Sequence, residues 1–231
     1  MRITIFGANG PTGRALTGQA LAAGHRVTAV TRQPDSFPLR HDRLAVAGAD
    51  VFDPVAVDAA VAGADAVLSA LGVPAAKEPI TTYSEGTATI VGAMRRHGVR
   101  RLAVISSAGV DPRRYSDGGF VFNRVVVPYV TRVAGRTLYD DMRRMETSIG
   151  ATDLDWTILR PSGLYDRPDV TDFTVVEGHA DGMFTARADL AAAMLAAVTE
   201  DRYVRATVGV ITTVGNPTLF RWMRDTVRAA R

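Results

Sequence analysis

The chain predicts an α/β fold built on a doubly wound parallel sheet, and three observations support that expectation. Short apolar β-type runs alternate with helical segments of about 10–16 residues along most of the chain. A triple-glycine turn, Phe6-Gly7-Ala8-Asn9-Gly10-Pro11-Thr12-Gly13-Arg14, joins the first run to the first helix. Two stretches fit neither period, 109–135 and 163–186. Each follows the C-terminal end of a predicted strand, the sheet edge where ligands bind in such folds.

In order, residues 2–6 form the first strand. The glycine turn feeds a helix over 12–23, with Ala15, Leu16, Ala20 and Leu21 on one face and Gly24 as its stop. The second strand is 26–31, and a polar loop with Pro34 and Pro38 leads to a third at 44–47. Pro54 sits just inside the next helix, 54–62, where its missing N–H is not needed. A fourth strand follows at 66–71, then a helix at 82–97 ended by Gly98, and a fifth strand at 101–105. Beyond the first irregular stretch come a helix over 136–149 and a sixth strand at 156–159 that runs into Arg160-Pro161. A helix at 188–198, a strand at 206–211 and a terminal helix at 218–231 complete the reading. With no internal repeat or low-complexity tract, 1–231 is read as one domain, with 109–135 and 163–186 as lid segments over a substrate site.

Composition narrows the function classes. At 231 residues the chain can bury a sizeable core, and 47% hydrophobic with 22% charged residues is ordinary for a globular protein. The net charge of +3 comes from scattered arginines, so a nucleic-acid partner is not expected. No apolar run approaches the roughly 18 residues of a membrane span, and a strand read from residue 2 leaves no room for a signal peptide, so no membrane partner is expected. Zero cysteines exclude disulfides and thiol catalysis and fit a cytoplasmic location. His25, His41, His97 and His179 are far apart in sequence and show no ligand spacing, so no metal is expected. A monomer is expected, because no heptad or long apolar stripe stands out.

The glycine turn carries the chemistry. Gly7 allows a tight exit from the strand, Gly10 lets backbone approach a pyrophosphate, and Gly13 packs helix against strand. Asn9, Pro11, Thr12 and Arg14 complete a loop whose N–H groups and helix dipole face an anion. At the end of the second strand, NAD sites place a carboxylate for the ribose 2′-OH, whereas this chain has Thr31-Arg32. Arg32 therefore points to NADP(H), with Arg14 or Arg40 as helpers.

These residues resemble a family. The loop and Thr31-Arg32, together with Ala49-Asp50-Val51, Ala66-Val-Leu-Ser-Ala-Leu-Gly72, Ser84-Glu-Gly86, Ile105-Ser-Ser-Ala108 and Leu154-Asp-Trp-Thr-Ile-Leu-Arg-Pro161, resemble the atypical short-chain dehydrogenase/reductases. Within them the chain is most similar to the Rossmann-type NAD(P)H-binding group that contains biliverdin IXβ reductase (flavin reductase) and the NmrA-like proteins. The resemblance implies that Asp50 and Val51 contact the adenine and that Leu71 and Gly72 lie along the ribose. It implies that Ser106 and Ser107 occupy the catalytic-serine position, and that Pro161, Ser162 and Gly163, after Arg160, border the nicotinamide. Each also has a plainer role open to it: Asp50 as a turn starter, Pro161 as a strand end, Ser107 as a loop serine.

One departure bears on mechanism. Most short-chain dehydrogenases carry Tyr-x-x-x-Lys on the helix after strand five, whereas this helix offers Tyr139-Asp-Asp-Met-Arg143, with an arginine that does not titrate. Counting back from Leu154-Asp-Trp156 places the usual pair at Leu138 and Met142, where neither residue does acid–base work. Tyr139 is thus either a proton donor or a helix-surface or pocket-wall tyrosine. Glu146 reads as a surface or helix–loop salt bridge, and Asp140-Asp141 with Arg143-Arg144 reads as helical i,i+3 and i,i+4 pairing. Tyr165, Phe173, Met183 and Phe184, with Phe120, Phe122 and Tyr129, wall an aromatic pocket or fill the loops.

Three functions fit. The first is an NADPH-dependent reductase of a flat conjugated acceptor such as a flavin, quinone or tetrapyrrole, with Ser107, Tyr139 or water managing the proton. The second is an NADP-dependent isomerase, epimerase or cyclase of secondary metabolism. The third is an NmrA-like redox sensor without turnover.

Overall fold

The computed structural model describes residues 1–113, 115–116, 119–200 and 202–229. Arg114, Asp117 and Gly118 of the first lid segment, and Ala230 and Arg231 of the terminal helix, lie outside them. The strands are β1 (Arg2–Phe6), β2 (Arg26–Thr31), β3 (Leu44–Gly48), β4 (Ala66–Ser69) and β5 (Arg101–Ile105). Interleaved with them are α1 (Pro11–Ala22), α2 (Pro54–Val61) and α3 (Ser84–Arg96). After β5 the chain is helical over 119–134, with π turns at Phe122–Val126 and Val130–Ala134. Then come α4 (Arg136–Gly150), β6 (Asp155–Pro161), β7 (Gly163–Tyr165), β8 (Phe173–Glu177) and β9 (Phe184–Ala186). The chain ends through α5 (Arg187–Thr199), β10 (Ala206–Thr212) and α6 (Leu219–Ala229).

Eight strands form one sheet in the order β3-β2-β1-β4-β5-β6-β10-β8. All neighbours run parallel except β8, which pairs antiparallel with β10 at the edge. Parallel strands covered on both faces read as unbroken apolar runs, and β4 and β5 are buried along their whole length. Alternate side chains serve two cores. Ile3, Ile5, Leu68 and Leu159 meet α1 and α5 through Leu16, Leu190 and Met194. Phe6, Val67, Leu102 and Ile158 meet α2, α3 and α4 through Val57, Ile90, Met94 and Met145. Each such side chain contributes roughly 1.5–3 kcal/mol by leaving water. The strand order reverses between β1 and β4, which places the loops after these two strands side by side at the C-terminal edge.

The two irregular stretches hold regular structure. Residues 163–186 contain β7, β8 and β9, and β7 pairs with β9 in a separate two-stranded sheet. Phe173-Thr-Val-Val-Glu177 carries a weak period-two signal, with Phe173 and Val175 inward and Thr174 and Val176 exposed. Its length of 5 residues hid it among loop residues. The π turns in 119–134 change the residues-per-turn count midway, so no single helical period runs through the segment. β4 stops at Ser69 instead of residue 71, because the chain turns out of the sheet at the switch point.

Candidate active site

The glycine loop is shaped from inside by two of its three glycines. Gly7 has φ +69°, and a Cβ there would lie 2.4 Å from the Ala70 carbonyl oxygen after β4. A Cβ at Gly13 would lie 2.2 Å from the Gly7 oxygen, so only glycine lets α1 start this close to β1. Gly10 differs: a Cβ would meet only the Gly7 oxygen, at an ordinary 3.4 Å. The protein's own packing does not require Gly10 to be glycine; its bareness keeps open the space above the loop. No side chain caps α1, and Pro11 opens it, so the first-turn N–H groups and the helix dipole face that space. Arg14 folds back across the loop, with Nε and Nη2 donating to Asn9 Oδ1 at 3.0 and 2.8 Å. Thr12 is buried at the helix start.

The next strand ends extend this edge. Thr31 Oγ1 accepts the Gln33 N–H at 3.2 Å, and Arg32 is exposed with no protein partner among the described residues. Arg40, a sequence-level candidate to assist Arg32, is instead tied to the carbonyls of Phe37 and Leu39 on its own loop. Asp50 Oδ1 accepts the Phe52 N–H at 3.0 Å, which makes it a turn starter whatever else it does. Val51 is buried against Gly86 of α3, where a Cβ would lie 2.8 Å from Val51 Cγ2 and 3.6 Å from Leu71 Cδ1. Val51 and Leu71 are thereby set beside one helix start, and Gly72 is exposed next to them.

Beyond β5, Ser106 is buried. Its N–H donates to the Leu159 carbonyl at 2.8 Å, and its hydroxyl has no partner among the described residues. Ser107 Oγ accepts the Gly109 N–H at 3.1 Å and lies near the Tyr139 phenol in the same cavity wall. The Tyr139 ring lies between two glycines: a Cβ at Gly109 would fall 2.3 Å from it and one at Gly135 2.7 Å. Burial raises the Tyr139 pKa above its ordinary 10.0, partly offset by the nearby Ser107 side chain and by Arg143. Pro161 lies within β6 opposite Val210, and the Ser162 N–H donates to Thr185 Oγ1 at 3.0 Å. Gly163 leaves room for the Trp222 ring, 3.1 Å from where its Cβ would be.

Pro11, Ser107, Tyr139, Ser162 and Gly163 line one cavity of about 790 Å³. Phe122, Met183, Tyr165 and Phe184 are also in its wall. Tyr165 and Phe184 meet edge to face at 6.4 Å, and Phe184 and Trp222 lie 5.9 Å apart. Phe173 instead belongs to β8 against the core, and Phe120 and Tyr129 are exposed. Tyr115 and Trp222 are wall residues that sequence reasoning missed. Trp222 had a signal, being a large apolar ring in an amphipathic terminal helix; Tyr115, in an irregular polar stretch, had none. Burial also pushes the Tyr115 phenol up, partly offset by the nearby Ser162 side chain.

The register of α4 corrects the count that placed Leu138 and Met142 at the site. Met142, Met145 and Ile149 face the core, with Leu138 packed against it, so the neighbouring stripe of Tyr139, Arg143 and Glu146 faces the sheet edge. Arg143 donates from Nε to the Val110 carbonyl at 3.1 Å and from Nη1 to Asp140 at 2.7 Å. Glu146 makes a two-pronged bond to Arg160 at the end of β6, with Nε–Oε1 at 2.9 Å, which is a helix–strand bridge away from the surface. Asp141 pairs with Arg144 at 3.0 Å, i,i+3 as expected, but its carboxylate is fully buried. It caps α3 across the fold, accepting the Tyr83 N–H at 2.8 Å and the Ser84 hydroxyl. Among the described residues, no group of three or more His, Cys, Asp or Glu could hold a metal ion.

A parallel sheet with an uncapped glycine loop at its switch point defines a Rossmann protein that binds a dinucleotide. Open Gly10, unpartnered Arg32 and the orphaned buried Ser106 hydroxyl all fit such a group. The model of the NAD(P)H-binding family matches residues 7–201, and this chain belongs to that family. Over 114 residues it is 40% identical to the uncharacterised protein Rv2047c of Mycobacterium tuberculosis; the match spans 49% of this chain and 13% of that protein's length. A short-chain dehydrogenase/reductase from Veillonella parvula, solved in complex with NADP, shares the fold with a TM-score of 0.76 and 23% identity over 94% of this chain and 99% of that one. ChuY, an anaerobilin reductase from Escherichia coli O157:H7, does so with a TM-score of 0.70 and 21% identity over 94% and 100%. No helix among the described residues is long and apolar enough to cross a membrane.

Proposed function

We propose that this protein is an NADPH-dependent reductase of a flat conjugated acceptor, such as a flavin, quinone or open tetrapyrrole. The observation that carries this reading is the Ser107–Tyr139 pair in the wall of an aromatic cavity that reaches the glycine loop. In this reading the first-turn N–H groups of Thr12 and Gly13 hold the pyrophosphate and Arg32 meets the 2′-phosphate. Asp50 and Val51 flank the adenine, Leu71 and Gly72 follow the ribose, and Pro161, Ser162 and Gly163 border the reacting ring. NADPH, when bound, supplies the hydride.

The chain's own residues do the rest. Tyr165, Phe184 and Trp222 hold a planar acceptor and exclude water, so orientation provides much of the acceleration. Tyr139, kept neutral by burial, gives its proton to the acceptor heteroatom, and Ser107 orients the phenol. Arg143 shapes α4 through Val110 and Asp140 and does not take over the role of the family's lysine. Segments 109–135 and 163–186 serve as the lid over the acceptor. The same fold serves an anaerobilin reductase, a precedent for that acceptor class.

The test mixes the protein with NADPH and FMN, riboflavin, menadione or biliverdin, and follows NADPH absorbance. Oxidation with at least one acceptor is expected. Tight NADPH binding without turnover on any of them would overturn the reductase and leave a dinucleotide sensor.

A further inference from the structure

The helical segment 119–134 is apolar on two faces, and the cavity uses only one. Val126, Val127 and Thr131 line the cavity. On the other side Phe120, Val125, Tyr129 and Val133 are 76%, 57%, 59% and 64% exposed. Their spacing of five, four and four keeps them on one outer stripe, because the π turns lengthen the helical repeat where the step is five. Exposed apolar stripes of this kind are rare on a surface that faces only water. A second cavity-lining helix behaves the same way: α6 turns Trp222 inward and leaves Phe220 and Met223 exposed.

Charge decides what covers this face. Residues 119–136 contain three arginines and no acidic residue. Arg124 and Arg132 are exposed and make no ion pair among the described residues, and Arg136 reaches only Asp140 of α4, at 3.7 Å. A two-fold contact with a second copy would bring this cationic stripe against the same cationic stripe of its partner. An anionic lipid surface complements them and accepts the aromatic and valine side chains between its headgroups. The lack of a membrane-spanning run, on which the expectation of no membrane partner rests, does not bear on a segment that lies in the interface.

We propose that the outer face of 119–134, with Phe220 and Met223 of α6, seats on an anionic lipid surface directly over the substrate cavity. The lipid contact stands by itself. Its consequence, that the acceptor is an apolar molecule drawn from the bilayer such as a tailed quinone, rests on the reductase reading.

The experiment is flotation of the full chain with vesicles of phosphatidylcholine alone and of equal parts phosphatidylcholine and phosphatidylglycerol, with light scattering in parallel. The protein should float with the anionic vesicles, far less with the neutral ones, and less as salt rises. The Arg124→Glu/Arg132→Glu variant should lose at least about tenfold in vesicle affinity. Phe120→Ser/Tyr129→Ser should lose binding to a similar degree, and both variants should bind NADPH as the parent does. No flotation with either vesicle overturns the proposal. So does a dimer in solution that the serine variant converts to monomer, since a second copy then covers the face. A protein that floats but oxidises no NADPH would sink the reductase alone; one that reduces soluble acceptors but never floats would sink the lipid surface alone.

Discussion

The two sides of the sheet edge do their work by different means. On the side of β1 to β4 the site is made of backbone: Gly7 and Gly13 are fixed by contacts with neighbours a few residues away or on the adjacent strand. On the side of β5 to β10 it is made of side chains. Ser107, Tyr139, Tyr165 and Trp222 come from four separate segments, and none is placed by its own local sequence. The first side tolerates almost no change in shape and holds a part of the cofactor common to many enzymes. The second side is held by no such local constraint, and in the proposed reading it is the side that meets the acceptor.

Substitutions can break this contrast, and the largest effect belongs to the side-chain half. Tyr139→Phe should lower kcat by about 10²–10⁴ while NADPH affinity stays as it was. In the parent, the rate should be flat through neutral pH and fall only above the ordinary tyrosine value of 10.0, since the required form is protonated and burial raises its pKa. A falling limb near neutrality would assign the proton to another group.

Next in size is the cap between the halves. Asp141→Ala removes a fully buried carboxylate from the start of α3 and leaves the Tyr83 N–H and Ser84 hydroxyl without it, at a cost of about 1–3 kcal/mol in urea unfolding. A loss under about 1 kcal/mol would mean that α3 holds its start unaided.

The glycine loop then separates packing from binding. Gly13→Ala drives a Cβ into the Gly7 oxygen and should cost roughly 1–3 kcal/mol of stability. Gly10→Ala has room in the protein and should leave Tm unchanged, yet weaken NADPH at least about tenfold, read by fluorescence titration. Equal damage from both would erase the distinction. Arg32→Ala should weaken NADPH about tenfold and leave NADH alone, giving a ratio that titration of both reads directly. The smallest change is Asp140→Ala, whose half-exposed pair with Arg143 should be worth under about 0.5 kcal/mol.

The same contrast explains what was legible beforehand. The strands β1, β2 and β5 appear at their predicted bounds, because short β-type runs of five or six residues between turn signals leave little choice. The glycine loop was readable because strand, glycines and helix start are contiguous in the chain. β8 was missed because an edge strand of 5 residues inside a long connection has too few residues to show a period. The stripe of α4 was miscounted because a count from Leu154 says nothing of how the helix is rotated about its axis. Whether Leu138 or Tyr139 faces the edge depends on Met142 and Met145 finding the core.

Taken alone, the sequence determined the doubly wound sheet and the dinucleotide loop, since each rests on neighbours in the chain and on a regular alternation of apolar residues. Only the tertiary structure decided that Tyr139 meets Ser107, that Asp141 caps another helix, and that Trp222 and Tyr115 join the cavity wall. It also decided that one helical segment has an apolar face turned to solvent. The physical reason is common to all of these: each depends on how elements far apart in sequence rotate to fill shared space, and a local pattern carries no record of that rotation.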